Sequence, residues 1–200
     1  MLLSIHTCSI SMMHRNRHSS GFALLMTLIV LGVVAAVGIS MVDLTIKQVR
    51  LSSNSTDSEV SFHAANAGLE CARYWRRIDS AAINSGSDFT PLCMNGSVSN
   101  FTNTDISVSD GIANQYEYDV TWGSPERCSR INMVTLVADL GGSGVTVNNM
   151  PSRVPGYPDG TTKSCDAGGR CTVIAVQGFN RACDAIGSFG TVQREVLVQF

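Results

Sequence analysis

The stretch that decides the fold is RHSSGFALLMTLIVLGVVAAVGISMVDL, residues 17–44. A polar, basic lead ends at Gly21, and the run from Phe22 to Val42 then holds 21 residues without a charge. As an α-helix this run would reach roughly 31 Å, which matches a bilayer core of about 30 Å. The apolar part of a cleaved secretory signal is shorter, at about 7–15 residues. The length therefore favours a membrane-spanning helix over residues 22–42.

Two other features bear on the nature of this run. The small residues Ala35 and Ala36 leave a signal-peptidase site as an alternative to a permanent span. Arg15 and Arg17 before the run favour a cytoplasmic N-terminus, although Lys47 follows it closely.

A second helical pattern follows in SEVSFHAANAGLECARYWRR, residues 58–77. Apolar or small residues recur along one helical face at Val60, Ala64, Ala67, Cys71 and Tyr74. Ala64, Ala67 and their small neighbours form a low surface on which a sheet can pack closely. The polar stretch 52–59 disfavours a helix interior, and Thr56 to Glu59 fits a capping box. The sequence predicts either one helix over 22–77 or two collinear pieces with a joint near 52–56.

Taken together, these features resemble the N-terminus of type IV pilins and pseudopilins: a basic leader ending in glycine, a phenylalanine, about twenty apolar residues and an amphipathic helical extension. The segment FHAANAGLECARY is similar to the helix of PilX-type minor pilins. The resemblance covers residues 14–77. It implies that 1–21 is a leader removed by prepilin peptidase after Gly21, and that Phe22 becomes the N-methylated first residue of the mature chain.

The same resemblance implies a location and a set of partners. The span 22–42 would lie in the inner membrane as a single pass, in contact with lipid, before assembly. It would then form the core of an extracellular pilus-like fibre, packed against the helices of other pilin subunits after passage through the pilus assembly platform.

Two features of the N-terminus depart from this family. Its members usually carry glutamate at the fifth residue of the mature chain, where this chain has Met26. The first residues are also unusually apolar for a pilin leader, so Met12 or Met13 is an alternative start to Met1.

The remainder, residues 78–200, predicts a β-rich head and, with the helix, an α+β fold. The alternation of apolar and polar residues predicts an antiparallel sheet of about four strands packed against the helix, at 116–122, 128–139, 171–179 and 191–200. A short strand at 105–109 interrupts a polar connection. The glycine- and proline-rich stretch 140–162 predicts a long loop, which in a compact domain is usually functional or mobile.

Cysteine usage predicts that disulfides staple this head. Of seven cysteines, Cys8 lies in the leader, and an even number remains in a chain expected to leave the cytoplasm. Six cysteines allow 15 pairings. Chain position and the glycines that permit a tight reversal at 167–169 favour Cys71–Cys93, Cys128–Cys183 and Cys165–Cys171. Zinc is the alternative, but no CxxC pair supports it.

No motif in the sequence indicates an enzyme, a cofactor or a metal site. Serine-hydrolase, zinc-protease, P-loop and dinucleotide-binding patterns are absent from the sequence. His63 is the one histidine outside the leader, and its place beside the apolar face favours a hydrogen-bonded structural role. Weak calcium candidates are the acidic residues Asp105, Asp110, Glu117 and Asp119, and separately Asp159 and Asp166, which lack EF-hand spacing.

Charge gives no support for nucleic-acid binding. The formal net charge is −2, so no basic field is available to hold a phosphate backbone. Arg73, Arg76 and Arg77 form a small basic cluster. We interpret it as a solvated helix end whose charges favour the C-terminal dipole.

Two function classes remain. The first is a minor pilin or pseudopilin, a structural subunit of a pilus-like fibre, with the tip or the initiation complex as one place for it. The alternative is an adhesin-like binding module on a permanent membrane anchor, with residues 140–162 as its contact surface. Cleavage after Gly21 distinguishes them, because only the first class requires it.

Overall fold

A computed structural model describes residues 20–154, 156–158 and 160–200. Its first element is a single helix, α1, from Ser20 to Ile78. Within the polar stretch, the hydroxyls of Thr56 and Ser61 donate to the carbonyls of Ser52 and Asp57, at 3.1 and 2.8 Å. These side chains bond back along the helix, so the capping box and the joint near 52–56 were wrong predictions and the uninterrupted helix was the right alternative.

The chain divides into two compact units between Leu51 and Ser52. The first unit is the apolar half of α1, whose best window has a mean hydropathy of 2.8 and no buried residue. Its large side chains are exposed on every side of the helix, with Phe22 at 67%. This half is long and apolar enough to cross a membrane.

The second unit holds the rest of α1 and a mainly antiparallel β head. The elements are α2 (Ser80–Asn84), β1 (Ser97–Asp105), β2 (Gly111–Trp122), β3 (Arg127–Ala138), β4 (Val145–Asn148), α3 (Met150–Arg153), β5 (Thr162–Cys165), β6 (Arg170–Phe179) and β7 (Gln193–Gln199). Five strands form one antiparallel sheet in the order β1-β2-β3-β6-β7, and β4 pairs with β5. The predicted α+β fold is confirmed.

The sheet has five strands where about four were predicted, and the additional one is β1. The predicted short strand at 105–109 was misplaced, because the pairing with β2 covers 97–105. A register shift between Ser99 and Thr102 and a positive φ of 55° at Asn100 break the alternation of side chains there. A polar sequence with a bulge lacks the period of two by which a strand is recognised.

One face of the sheet packs against α1 at close range. Ala64, Ala65 and Ala72 are fully buried, and the Ser129 hydroxyl donates to the Ala64 carbonyl at 2.7 Å. A Cβ added to Gly178 would collide with the backbone of Ser61 and Ala65. The expectation that the small residues of the helix let a sheet approach is confirmed.

The opposite face is partly covered by residues 139–169, which we call the lobe. The predicted long loop at 140–162 was wrong, since β4 and α3 lie within it and β5 begins at its end. Val145, Val147, Met150 and Val154 are fully buried against the sheet. The many glycines and prolines of this stretch made its short strands and helix look like a loop. The few apolar residues of these elements form the core of the lobe.

Three disulfides join the six cysteines of the described chain, in the same three pairs that the sequence favoured. Cys71–Cys93 ties the end of α1 to the connection that follows it, with Cα atoms 5.8 Å apart. Cys128–Cys183 ties β3 to the segment before β7 at 4.8 Å, and Cys165–Cys171 closes the turn between β5 and β6 at 5.7 Å. Each pair lies within the second unit.

The basic cluster at the end of α1 is not uniformly solvated, which corrects the prediction for one of its members. Arg73 is partly exposed and pairs with Glu70 at 3.0 Å, and Arg77 is exposed. Arg76 is buried, and its Nε donates to the Thr172 hydroxyl at 2.9 Å. Burial, and then the positive charge of Arg170, lower the pKa of Arg76.

Candidate functional site

The predicted processing site lies at the start of α1. Gly21 and Phe22 are both exposed, and a Cβ added to Gly21 would meet nothing within 4 Å. Met26 is 46% exposed, and the Thr27 hydroxyl donates to the Leu24 carbonyl at 2.9 Å. Cleavage after Gly21 and methylation of Phe22 stay predictions. The leader residues before position 20 lie outside the described residues.

A cleft of about 450 Å³ opens on the outer face of the sheet, beside the part that the lobe covers. The register of the strands builds its floor. Asp119 pairs with Arg130, Arg130 with Gln177 and Gln177 with Glu195, so four polar residues form one row across β2, β3, β6 and β7. Four strands therefore hold this row on a rigid surface.

The next row of the sheet also lines the cleft. Glu117 pairs with Asn132, and Asn132 with Ala175. Ala175, which pairs with Leu197 on its other side, has the shortest side chain of the three and lines the cleft. Ser152 and Arg153 of α3 form the wall on the lobe side.

The ion pair between Arg130 and Asp119 anchors one end of the cleft. Nε and Nη2 of Arg130 donate to the two carboxylate oxygens of Asp119, at 2.8 and 3.2 Å. Asn100 donates to the same carboxylate at 3.0 Å, and the Asp119 side chain is only 5% exposed. The hydrogen bond to Asp119 raises the pKa of Arg130. This two-point geometry fixes the plane of a half-exposed guanidinium group.

A network of carboxamides holds the middle of the cleft. Glu117 Oε1 accepts from Gln115 at 2.9 Å and from Asn132 at 2.8 Å. Both amides also donate to the Arg153 carbonyl, at 3.1 and 2.6 Å. These bonds tie α3 to the sheet, so the wall and the floor are held in one arrangement.

The third group at the cleft is the pair of Gln177 and Glu195. Gln177 Nε2 donates to Glu195 Oε2 at 3.2 Å. Opposite them, the Arg153 guanidinium donates through Nη1 to Gln115 Oε1 at 3.3 Å, while its Nε is buried without a hydrogen-bond acceptor in the described chain. A buried donor without an acceptor is uncommon in folded proteins.

The structure does not bring the calcium candidates together. Asp105 accepts from Asn114 at 2.6 Å, and Asp110 from Ser143 at 2.7 Å, each at a separate place. In the described residues, no three His, Cys, Asp or Glu side chains converge. Asp166 lies in the turn before β6, where its carbonyl accepts from the Gly169 amide, and Asp159 lies outside the described residues.

His63 does not take the structural role predicted for it. Its side chain is exposed, and Nε2 lies 3.7 Å from Glu59 Oε1 on the preceding turn of α1. The prediction was wrong because the helix turns residue 63 away from the sheet, while its neighbours Ala64 and Ala65 face the sheet.

A buried polar cluster lies near the end of α1. The Tyr116 hydroxyl donates to the carbonyls of Ile83 and Ser87, at 3.3 and 3.2 Å. Burial, and then the carboxylates of Asp88 and Asp105, raise the pKa of Tyr116 to about 12. These bonds attach the segment after α1 to the sheet.

Sequence reasoning missed the cleft, although a signal was present. Glu117 and Asp119 alternate with the buried Tyr116 and Tyr118, and Arg130 and Asn132 alternate in the same way on β3. Such alternation marks one covered face and one open face. Recognising a cleft also requires the register of four strands, which the sequence alone does not supply.

Comparison with known proteins gives no match: no family model, no curated protein and no solved structure is similar to this chain.

Proposed function

We propose that this chain is a structural subunit of a type IV pilus-like fibre, a minor pilin or pseudopilin that enters the fibre through α1. The observation that carries the proposal is the apolar half of α1, which no described part of the chain covers. Large exposed apolar surface needs lipid or a protein partner. A helix that is held by lipid before assembly and by neighbouring helices afterwards meets that need in both states.

The organisation of the second unit supports the same role. α1 continues into the head, where the sheet packs against its small residues and the Cys71–Cys93 disulfide ties down its end. Because the head is fixed to the helix, a subunit held by its apolar half would carry a folded head with it. Disulfides within the head also suit a chain that works outside the cytoplasm.

Cleavage tests the proposal directly. We expect the mature chain, purified from the cell surface, to begin at Phe22 with a methylated amine and to be recovered in sheared fibres. N-terminal sequencing and mass spectrometry of that fraction measure both features. An uncut chain that stays in the membrane would favour the adhesin-like module on a permanent anchor.

We further propose that the subunit occupies the fibre tip or the initiation complex. In the family that the sequence resembles, the glutamate of an incoming subunit is thought to pair with the terminal amine of the subunit before it. Met26 stands at that position here. The next acidic residue, Asp43, is about 26 Å further along the helix, and it already pairs with Lys47 at 2.8 Å.

If a subunit without this carboxylate were added along the shaft, the terminal amine of the subunit before it would be buried without a partner. A buried, unpaired charge costs free energy. At the tip, no earlier amine waits for a partner. Immunogold labelling of native fibres tests this placement. Label at one end of each fibre is the expected result, and dense label along the shaft would exclude it.

A further inference from the structure

The cleft on the outer face has no part in the entry of α1 into a fibre. It lies entirely within the second unit, on the sheet face opposite the helix. Its volume of about 450 Å³ falls in the range of roughly 300–1,000 Å³ that is typical of small-molecule sites. Polar groups converge on it from four strands and from α3. This surface therefore offers the head a binding role of its own.

The cleft presents unused hydrogen-bond donors. Nε and Nη2 of Arg130 donate to the Asp119 carboxylate, and its Nη1 donates to no described residue. Arg153 lines the wall of the cleft, and its Nη2 likewise donates to no described residue. Because arginine donors lie in a fixed plane, a ligand oxygen at these positions would meet a preset direction.

Unused acceptors stand beside these donors. Glu117 Oε1 takes bonds from Gln115 and Asn132, whereas its Oε2 accepts from no described residue. Glu195 Oε2 takes a bond from Gln177, and its Oε1 likewise accepts from no described residue. Both side chains are exposed at the mouth of the cleft.

Charges of both signs line the cleft and disfavour a ligand that carries a single charge. A phosphate or carboxylate ligand would be repelled by Glu117 and Glu195, and an ammonium ligand by Arg130 and Arg153. A hydroxyl group is uncharged and both donates and accepts, so a ligand with several neighbouring hydroxyls matches donors and acceptors together. We propose that this cleft binds a neutral polyhydroxylated ligand, namely a short uncharged saccharide.

The same geometry sets the expected affinity. Among the described residues, Tyr118 is the one aromatic residue that borders the cleft, and its ring is buried in the core on the helix side of the sheet. No aromatic face is therefore offered to the apolar side of a sugar ring by the described residues. Hydrogen bonds alone, made in competition with water, give weak binding, and we expect a Kd on the order of 1 mM.

Saturation-transfer NMR on the full chain in lipid nanodiscs tests the proposal. The neutral probes are lactose, maltotriose and triacetylchitotriose, and their charged counterparts are, in the same order, sialyllactose, maltotrionic acid and the cationic chitotriose. We expect at least one neutral probe to bind near the stated Kd and its charged counterpart to bind about tenfold more weakly. Failure of all three neutral probes, or equal binding of a charged counterpart, would overturn the proposal.

Paired variants locate the site. Glu117→Gln turns one acceptor into a donor with little change of shape, and we expect about a tenfold loss of affinity, the value of one hydrogen bond to a charged group. The matched control is Glu126→Gln in the exposed turn after β2. We expect Arg153→Lys, which replaces the planar guanidinium at the wall with a single ammonium group, to lose affinity similarly, and Arg170→Lys is its control. Loss in the controls, or none in the cleft variants, would place the binding elsewhere.

Discussion

The two halves of α1 differ in how far they are buried. The more hydrophobic half is the more exposed one. The half before Leu51 is the more apolar, yet its side chains are exposed all round the helix. The half after Ser52 carries more polar residues, yet Ala64, Ala65 and Ala72 are completely buried. Small residues that pack against the sheet thus bury the second half, whereas no described residue of the chain covers the first half.

The largest expected effect concerns the start of the first half. On the proposed pilin role, Gly21→Val should abolish maturation, because a bulkier side chain would then stand immediately before the cut. Mass spectrometry of the membrane fraction should then find only the uncut chain. Gly38→Val is the control, since an added side chain meets nothing within 4 Å of its Cβ at either glycine. Normal cleavage of the Gly21→Val protein would exclude processing by a prepilin peptidase after Gly21, and with it the pilin role proposed for the first half.

The second effect concerns the three disulfides of the unit that contains the other half of α1. In the chain-entropy description, removal of Cys128–Cys183 should cost about 4 kcal/mol, of Cys71–Cys93 about 3 and of Cys165–Cys171 about 2. The order follows the sequence separations of 55, 22 and 6 residues. Urea denaturation of the three double-alanine proteins measures it. Six free thiols in the surface-purified protein would contradict the disulfides themselves.

The third effect tests the close packing against α1. Gly178→Ala should lower the free energy of unfolding by about 3 kcal/mol, because its Cβ would enter the backbone of Ser61 and Ala65. Gly187→Ala, with nothing within 4 Å of its Cβ, should change it by less than about 0.5 kcal/mol. Equal denaturation midpoints for the two proteins would show that the second half does not depend on this contact.

The sequence alone predicted some elements of the fold and missed others. The helix, its small-residue face, four of the strands and the cysteine pairs follow from periodicity and spacing, which are local properties. β1 was misplaced because a bulge removes its alternation, and the lobe was mistaken for a loop because its elements are only four residues each. Arg76 appeared solvated because its burial depends on Thr172, nearly a hundred positions further along the chain. The cleft was missed for the same reason, since only the register of the sheet places Asp119 and Glu195 in one row.

The smallest effect concerns Met26, because its substitution leaves the folded head unchanged. Met26→Glu restores the carboxylate at the fifth residue of the predicted mature chain, and we expect gold label along the shaft to rise severalfold over the wild-type protein. Met41→Glu places the same charge at the far end of the span, on a residue that is also exposed, and should give no rise. Comparison of the two variants distinguishes an effect of pairing with a terminal amine from a general effect of adding a charge to the span.

Neither Thr27 nor Asp43 offers an equivalent carboxylate near the fifth position, because Thr27 is uncharged and Asp43 lies about 26 Å further along the helix. The Thr27 hydroxyl is held by the Leu24 carbonyl at 2.9 Å, and Asp43 is held by Lys47. If the Met26→Glu protein remains confined to fibre ends, the missing carboxylate is not what keeps the wild-type subunit out of the shaft, and the head must do so instead. If label rises in both variants, charge in the span controls incorporation and Met26 has no special place. A rise in Met26→Glu alone ties the position of the subunit in the fibre to one residue of the exposed half of α1.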